Sequence, residues 1–411
     1  MIRIRKILTF LALAPPLAAG AETLTVCERG CDHRSINAAI AAASDGDVIQ
    51  LAAEVFFEGR AVNPLGKAIT IRGSKNPTGD PGSILDGDTA HQLIHCLSGE
   101  TSDTIFENLI IQRGAGIVGA GMWNIGSGPT ILNCWFRNNL GIDYGGGMLV
   151  YSGSPILIDC KFEENSSTFA GGGMYVDDSD CVLTRCTFVR NSTGGRGGGV
   201  ANLGADDFEL IDCHFEDNVA VEGGGVYNYF SNPTLIDCRF EGNAFLANTG
   251  MEVGGGMYND SSAPLLIDCT MKGNFSTHRG GGIFNYLSDP ILDGCLITGN
   301  LTAGLGGGIA NVKSTPTLVN SIVCANGPDE IDGGFDDAGG NHVGEECPTA
   351  TCPTDLNKDG STSGSDLGSL ITTWGHCGSC PSDFNHDGFV DRIDLEVLVA
   401  AWGACDENID G

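Results

Sequence analysis

Glycine triplets recur through the middle of this 411-residue chain at a nearly fixed step. They begin at Gly145, Gly171, Gly197, Gly223, Gly254, Gly280 and Gly306, after a variant at Gly119-Ala120-Gly121. Every step is 26 residues except the 31 from Gly223 to Gly254, which carries an insertion around 244–252. A cysteine stands fifteen residues after most of these starts: Cys134, Cys160, Cys186, Cys238, Cys269 and Cys295. Cys213 comes one residue later, and Ser321 takes the place in the last repeat. Five residues further on, all eight repeats have asparagine, from Asn139 and Asn165 to Asn326. A sustained period of this size means a solenoid, because one repeat cannot bury its own apolar face and neighbours must stack to do so.

The residues within each repeat choose the kind of solenoid. Ile236, Cys238 and Phe240 alternate with Asp237, Arg239 and Glu241, and Ile211, Cys213 and Phe215 behave the same way. That is the period of a strand, not of a helix. The fold class expected is therefore all-β: a right-handed parallel β-helix, with glycines where the backbone needs positive φ or close approach. The cysteine row points inward beside Phe136, Phe162, Phe188, Phe215 and Phe240, as does the row Met122, Met148, Met174, Val200 and Val226. Buried cysteine acts as a small hydrophobe, and a straight column of thiols does not converge on a metal. Asn124, Asn202, Asn228, Asn259, Asn285 and Asn311 are expected to stack at a turn, amide on amide.

Charge and targeting narrow the function. Fifty-two Asp and Glu against 21 Lys and Arg, a formal charge of −31, exclude nucleic acid or an anionic membrane surface as the main partner. No internal apolar run is long enough for a transmembrane helix. Arg3, Arg5 and Lys6 precede an apolar stretch from Ile7 to Leu13, and Ala19-Gly20-Ala21 offers small residues before Glu22. Residues 1–21 read as a signal peptide, so the mature chain is expected outside the cell or on its surface, in an oxidising compartment. Residues 22–335 form the β-helix in this reading. A cap spans 22–104, repeats run over about 105–326, and a cover reaches 335. Within the cap, Ser35 to Ala43 reads as a short helix with Ser35 as N-cap, and Cys27 and Cys31 are placed to bridge. A linker over 336–351 then leads to a domain at 352–405.

The repeat of Gly-Gly-Gly-aliphatic followed by Phe-x-x-Asn, as in Gly171-Gly172-Gly173-Met174 and Phe188-Val189-Arg190-Asn191, resembles chlamydial polymorphic outer-membrane proteins. The entry segment, Ser35 to Leu51 and then Gly66-Lys67-Ala68-Ile69-Thr70-Ile71, is similar to the start of pectate-lyase-like β-helix proteins. The first resemblance implies adhesion, the second action on polysaccharide, and the fold alone decides between neither.

The tail carries a sharper motif. Asp355, Asn357, Asp359, Ser361, Ser363 and Asp366 stand at positions 1, 3, 5, 7, 9 and 12 of a loop with Gly360 at position 6. Asp383, Asn385, Asp387, Phe389, Asp391 and Asp394 repeat it 28 residues later around Gly388. These are the oxygen positions, and the turn glycine, that a hard Ca²⁺ ion needs; position 7 lends its carbonyl. Two Ca²⁺ ions are expected, with helices over Leu367–Trp374 and Leu395–Trp402 ending at Gly375 and Gly403. The tandem resembles a type I dockerin, which implies a cohesin-like protein partner. At loop positions 10 and 11, where that family contacts cohesin, this chain has Gly364-Ser365 and Arg392-Ile393 instead of a hydroxyl pair. Cys352, Cys377, Cys380 and Cys405 obey the same symmetry. They pair either as Cys352–Cys377 with Cys380–Cys405, or as Cys352–Cys405 with Cys377–Cys380, and spacing does not choose.

The catalytic or binding face is read from the outward rows flanking the cysteines. Asp212, Asp237 and Asp268 are expected to stack on consecutive coils, with Arg185, His214 and Arg239 alongside. Like charges this close repel unless a cation or basic groups intervene. Asp212, Asp237, Asp268 and Arg239 are thus the candidates for a calcium or uronate site, set against a solvated face of paired charges. A second row, Trp123, Tyr175, Tyr227, Tyr258 and Phe284, either stacks on sugar rings or is covered by a neighbouring loop. The reading is a secreted component that binds or degrades polysaccharide, as a lyase or glycoside hydrolase if it is an enzyme. The alternative is an adhesive or structural cell-surface protein without activity.

Overall fold

The computed structural model describes residues 20–205, 207–245 and 254–347, and from the C-terminal region 356, 361–362, 364–376, 382, 384, 389–400 and 403–404. The chain divides into two compact units, Met1–Glu345 and Glu346–Gly411. Among the described residues no helix is long and apolar enough to cross a membrane.

The first unit is a parallel β-helix. One coil contributes Met148–Tyr151, Ile156–Ile158, Lys161–Glu163 and Ser166–Ser167 to four successive sheets, which among the described residues have ten, thirteen, twelve and eight strands. Each strand pairs in parallel with its equivalent one coil away, so that Met148 faces Met174 and Phe162 faces Phe188. The corners between the sheets explain the sequence rows. At each corner one residue is left-handed: Ser152 (φ 50°), Asp159 (φ 55°), Glu164 (φ 54°) and Gly171 (φ 65°) in this coil. Equivalent residues at the first corner run Gly126, Ser152, Asp178, Gly204, Phe230, Ser261, Leu287 and Lys313, all at positive φ. The second and third triplet glycines serve packing instead: a Cβ on Gly172 meets the Gly198 and Ser192 carbonyl oxygens at 2.5 Å.

The interior is laid down in columns. Phe136, Phe162, Phe188, Phe215 and Phe240 stack nearly parallel with centroids 4.6–4.9 Å apart. The cysteine column is buried, as expected, and its thiols reach carbonyl oxygens of the preceding coil, Cys160 Sγ lying 3.4 Å from Ile131 O. Burial pushes the Cys134 thiol up to about 12. Asparagines fill the third corner. Asn165 Nδ2 donates to Phe136 O (2.9 Å) and to Asn191 Oδ1 (3.0 Å), and Asn191 Oδ1 also accepts from Asn165 N (3.1 Å). The column ends at Asn326, whose Nδ2 donates to buried Glu330 (2.6 Å).

Other expectations are corrected. The Asn124 row lies inside strands such as Met122–Ile125, not at a turn, and Val150 and Val176 interrupt it. It runs unbroken only from Asn202 through Asn228, Asn259 and Asn285 to Asn311, at amide distances of 2.9–3.3 Å. At the break, Asn124 Oδ1 and Asn202 Oδ1 are buried without a partner among the described residues. The segment from 336 also continues the solenoid, against the expected linker: Asp336–Asp337 pairs with Thr317–Leu318 and His342–Gly344 with Ile322–Cys324.

At the open end, α1 (Ile36–Ala42) buries Ile36, Ala39 and Ile40 against the first coils. Ser35 is its N-cap, and the Ser35 side chain accepts from Ala38 N. Lys67 Nζ donates to Ile40 O (2.6 Å) and Ala43 O (2.7 Å), a cation at the negative end of the helix. Cys27 and Cys31 form a disulfide beside it.

In the second unit, α2 (Gly364–Thr372) and α3 (Arg392–Ala400) start three residues before the predicted positions, which places Asp366 and Asp394 in their first turns. Ser361–Thr362 pairs antiparallel with Gly403–Ala404, and Gly375–His376 with Phe389–Val390, so the 28-residue repeat is expressed as two crossed pairings. Leu370, Val390 and Leu398 form its core.

Candidate functional site

The corner between the second and third sheets holds the acidic row. Asn133, Asp159, Arg185, Asp212, Asp237, Asp268 and Asn320 all sit there at φ 46–55°, with Gly294 at 68°. Asparagine, aspartate and glycine tolerate this conformation best, so part of the row's composition is dictated by the backbone. The charges on it are not dictated in that way, and they fall into two groups.

Toward the N-terminus the charges are paired. Arg185 reaches back to Asp159 through Nε (2.7 Å) and Nη2 (3.0 Å). Arg113 lies 2.8 Å from Asp86, and Arg190 bridges Glu163 and Glu164 at the next corner. Asp86 is almost fully buried; burial alone pushes its carboxyl up, but hydrogen bonds from Arg113, Asp88 N and Gln112 bring it below the usual range.

From the next coil on, the pairing stops. Asp212, Asp237, Arg239, Asp268 and Thr270 line one open cavity of about 380 Å³. Arg239 and Thr270 open strands of the third sheet and are neighbours in register. The four expected residues are thus brought together, and Thr270, a hydroxyl the sequence did not single out, joins them. Arg185 and His214 do not: Arg185 is held by Asp159, and His214 Nε2 lies 3.5 Å from Glu241. Among the described residues the carboxylates of Asp212, Asp237 and Asp268 accept no hydrogen bond, and Arg239 makes no ion pair. Partial burial first, then Asp268 and Asp212 on either side, raise the Asp237 carboxyl above its ordinary value. Asp212, Asp237, Arg239 and Asp268 are exposed to solvent, as expected of a solvated face, but the expected pairing is absent over these coils. Among the described residues no three His, Cys, Asp or Glu stand close enough together to hold a metal ion.

The aromatic row is placed differently from the first expectation. Tyr175, Tyr227, Tyr258 and Phe284 are buried, in clusters with Ala201 and Ala310, and Arg196 lies 5.1 Å over the Tyr227 ring. They do not form an open platform for sugar rings.

Of the calcium positions, Asp355, Asn357, Asp359, Ser363, Asp383, Asn385 and Asp387 lie outside the described residues, as does the side chain of Ser361. Phe389 and Asp391 are described, and Asp366 and Asp394 are fully buried. Asp394 Oδ1 accepts from Phe384 N (2.7 Å) and Oδ2 from Asp391 N (2.9 Å), which turns its carboxylate into the loop. The four tail cysteines also lie outside the described residues.

Among solved structures, the mannuronan C-5 epimerase AlgE4 A-module of Azotobacter vinelandii is 14% identical over 76% of this chain and 94% of its own, with a TM-score of 0.39. The catalytic domain of a GH87 α-1,3-glucanase is 12% identical over 80% and 71%, with a TM-score of 0.38. A mannuronic acid specific polysaccharide family 6 lyase from human gut microbiota is 12% identical over 77% and 83%, with a TM-score of 0.28. None of these likenesses transfers a residue or an activity to this chain. No curated protein sequence matches. The family model for the right-handed β-helix region matches residues 91–231 and 143–277, the coils that carry the acidic cavity.

Proposed function

We propose that this chain is an exported polysaccharide-binding protein that holds an acidic glycan at the Asp212–Asp268 corner and carries a calcium-loaded, dockerin-like tail. The observation that supports the reading is the cavity in which Arg239 and three carboxylates stand without ion-pair partners, whereas the charges at the coils just before it, Asp159 with Arg185 and Glu163 with Arg190, are paired. A guanidinium free of ion pairs is the natural receiver of a uronate carboxylate. The flanking aspartates oppose that anion until one takes up a proton, and the group best placed to do so is Asp237. Binding therefore strengthens as pH falls through the raised Asp237 value. Degradation is the second reading, favoured by the same raised carboxyl, since an acid or base beside a bound uronate is what glycan cleavage requires.

Asp366 and Asp394 are buried, and Asp394 accepts from loop backbone N–H groups; both suit the bidentate last ligand of a calcium loop. Two Ca²⁺ ions would be completed by the other loop residues and would order the unit for a cohesin-like partner. The basic, apolar N-terminus supports export.

The test is incubation of the chain from residue 22 with polyuronates and neutral plant glycans, with Ca²⁺ and with chelator. Retention on a polyuronate that is lost in Arg239→Gln is the expected result. New unsaturated or reducing ends would make the protein an enzyme. No retention and no turnover on any polymer would sink the reading and leave the adhesive or structural alternative.

A further inference from the structure

Among the aromatic side chains that reach solvent, which also include Phe57, Phe169 and Phe275, one lies at a left-handed position of the first corner. There the left-handed position passes from Gly204 to Phe230 (φ 47°), Ser261 (φ 52°), Leu287 (φ 51°) and Lys313 (φ 54°). Glycine sits easily in this conformation, whereas bulky side chains such as phenylalanine and leucine are strained in it. Neither gains a core contact in return, for Phe230 is 59% and Leu287 49% exposed. The residues just before them continue the pattern. Tyr229, Asp260 and Tyr286 are in register on three consecutive coils.

Tyr229 and Phe230 meet edge to face at 4.5 Å. Lys313 Nζ lies 5.7 Å over the Tyr286 ring. Asp260 Oδ1 accepts from Ser261 Oγ (3.0 Å), and its Oδ2 accepts no hydrogen bond among the described residues. The result is two apolar steps, Tyr229/Phe230 and Tyr286/Leu287, separated by two coil rises, roughly 10 Å. A carboxylate stands between them and an ammonium beyond. Toward the N-terminus the same corner opens into a groove of about 770 Å³ lined by hydroxyl and acidic side chains, among them Ser127, Ser154 and Asp178.

We infer that this corner is a ledge for a neutral, unbranched pyranose polysaccharide lying along the solenoid axis. A pyranose ring has an apolar C–H face and a rim of hydroxyls. Its face suits exposed rings and aliphatic steps, and its rim suits an acceptor and a donor placed beside them. The separation of the two steps is close to a disaccharide repeat in an extended chain. Charge at the ledge selects the neutral class: Asp260 and Lys313 offset each other locally, so the ledge itself offers a polyanion no net attraction. The ledge is separated from the acidic cavity by the second sheet and does not rest on the proposal made for it.

The test is affinity electrophoresis of the full chain through gels containing hydroxyethylcellulose, unbranched glucomannan, polygalacturonate or no polymer. Retardation by at least one neutral polymer is expected, with Kd raised at least fivefold in the Phe230→Gly/Leu287→Gly double variant. Glycine keeps the left-handed backbone, so the variant folds, and circular dichroism with a thermal melt checks that it does. Asp237→Asn should migrate as the parent in the neutral gels, which separates failure of the ledge from failure of the acidic site. Absence of retardation in both neutral polymers, or undiminished retardation of the double variant, overturns the inference. Retention only on polygalacturonate that the double variant loses also overturns it, by giving the ledge a charged ligand.

Discussion

At the scale of single residues, Asp237 separates the backbone's demands from those of charge. Its left-handed φ of 53° favours Asp, Asn or Gly, while its neighbours Asp212 and Asp268 penalise its charge. Asp237→Asn keeps the conformation and removes the repulsion. It should raise the melting temperature slightly, by the equivalent of at most about 0.5 kcal/mol for so exposed a group. Asp237→Ala should instead lose roughly 1 kcal/mol to strain. A raised folded-state value means that the charged form costs stability; protonation relieves the cost as pH falls through that value, and the Asn variant should lack this pH response. Asp86 has the opposite sign. Its lowered value contributes stability that is present above the unfolded aspartate range and is lost as pH falls through the folded value. Arg113→Met removes its largest stabilising partner and should cost roughly 1–2 kcal/mol at neutral pH, less than a fully buried pair because Arg113 is itself part exposed. Urea unfolding across acid and neutral pH reads both effects.

At the scale of the element, columns of identical residues set the solenoid's stability. Asn191→Ala would leave the Asn165 amide groups and Phe162 O without their partners in a dry corner, and should cost about 2–3 kcal/mol in urea unfolding. Asn124→Ala should cost clearly less, since Asn124 stands at a break and its Oδ1 is already unpartnered. The comparison was not open to the sequence, where the two asparagine rows look alike. Their difference lies in which row occupies a corner, with free backbone groups to satisfy, and which lies within a strand, where the ladder already satisfies them. The buried aromatic row failed for a related reason: period-two alternation marks the side of the sheet a residue takes, not whether another part of the chain covers that side. Tyr227 and Phe284 are outside the barrel of coils and are buried nonetheless.

At the scale of the whole molecule, the two units make separate demands. Calorimetric titration of the full chain with Ca²⁺ should find two sites, and Asp394→Asn should abolish one, with no change in the β-helix melt because its columns contain no calcium ligand. Two sites persisting in that variant would refute the ligand assignment. The sequence by itself determined the solenoid, because a fixed step of 26 residues with period-two alternation inside it leaves stacked parallel strands as the arrangement that buries every repeat. It also determined the helical cap at Ser35 and the row that brings Asp212, Asp237 and Asp268 together, since register carries one residue onto the next at each coil. Only the tertiary structure decided which charges are left unpaired. Arg185 reaches back to Asp159 rather than forward to Asp212, a choice of side-chain direction that no spacing encodes. Only the structure, too, showed that Phe230 and Leu287 stand exposed at left-handed corners, because the cost of a side chain there depends on a dihedral angle that the coil's closure imposes.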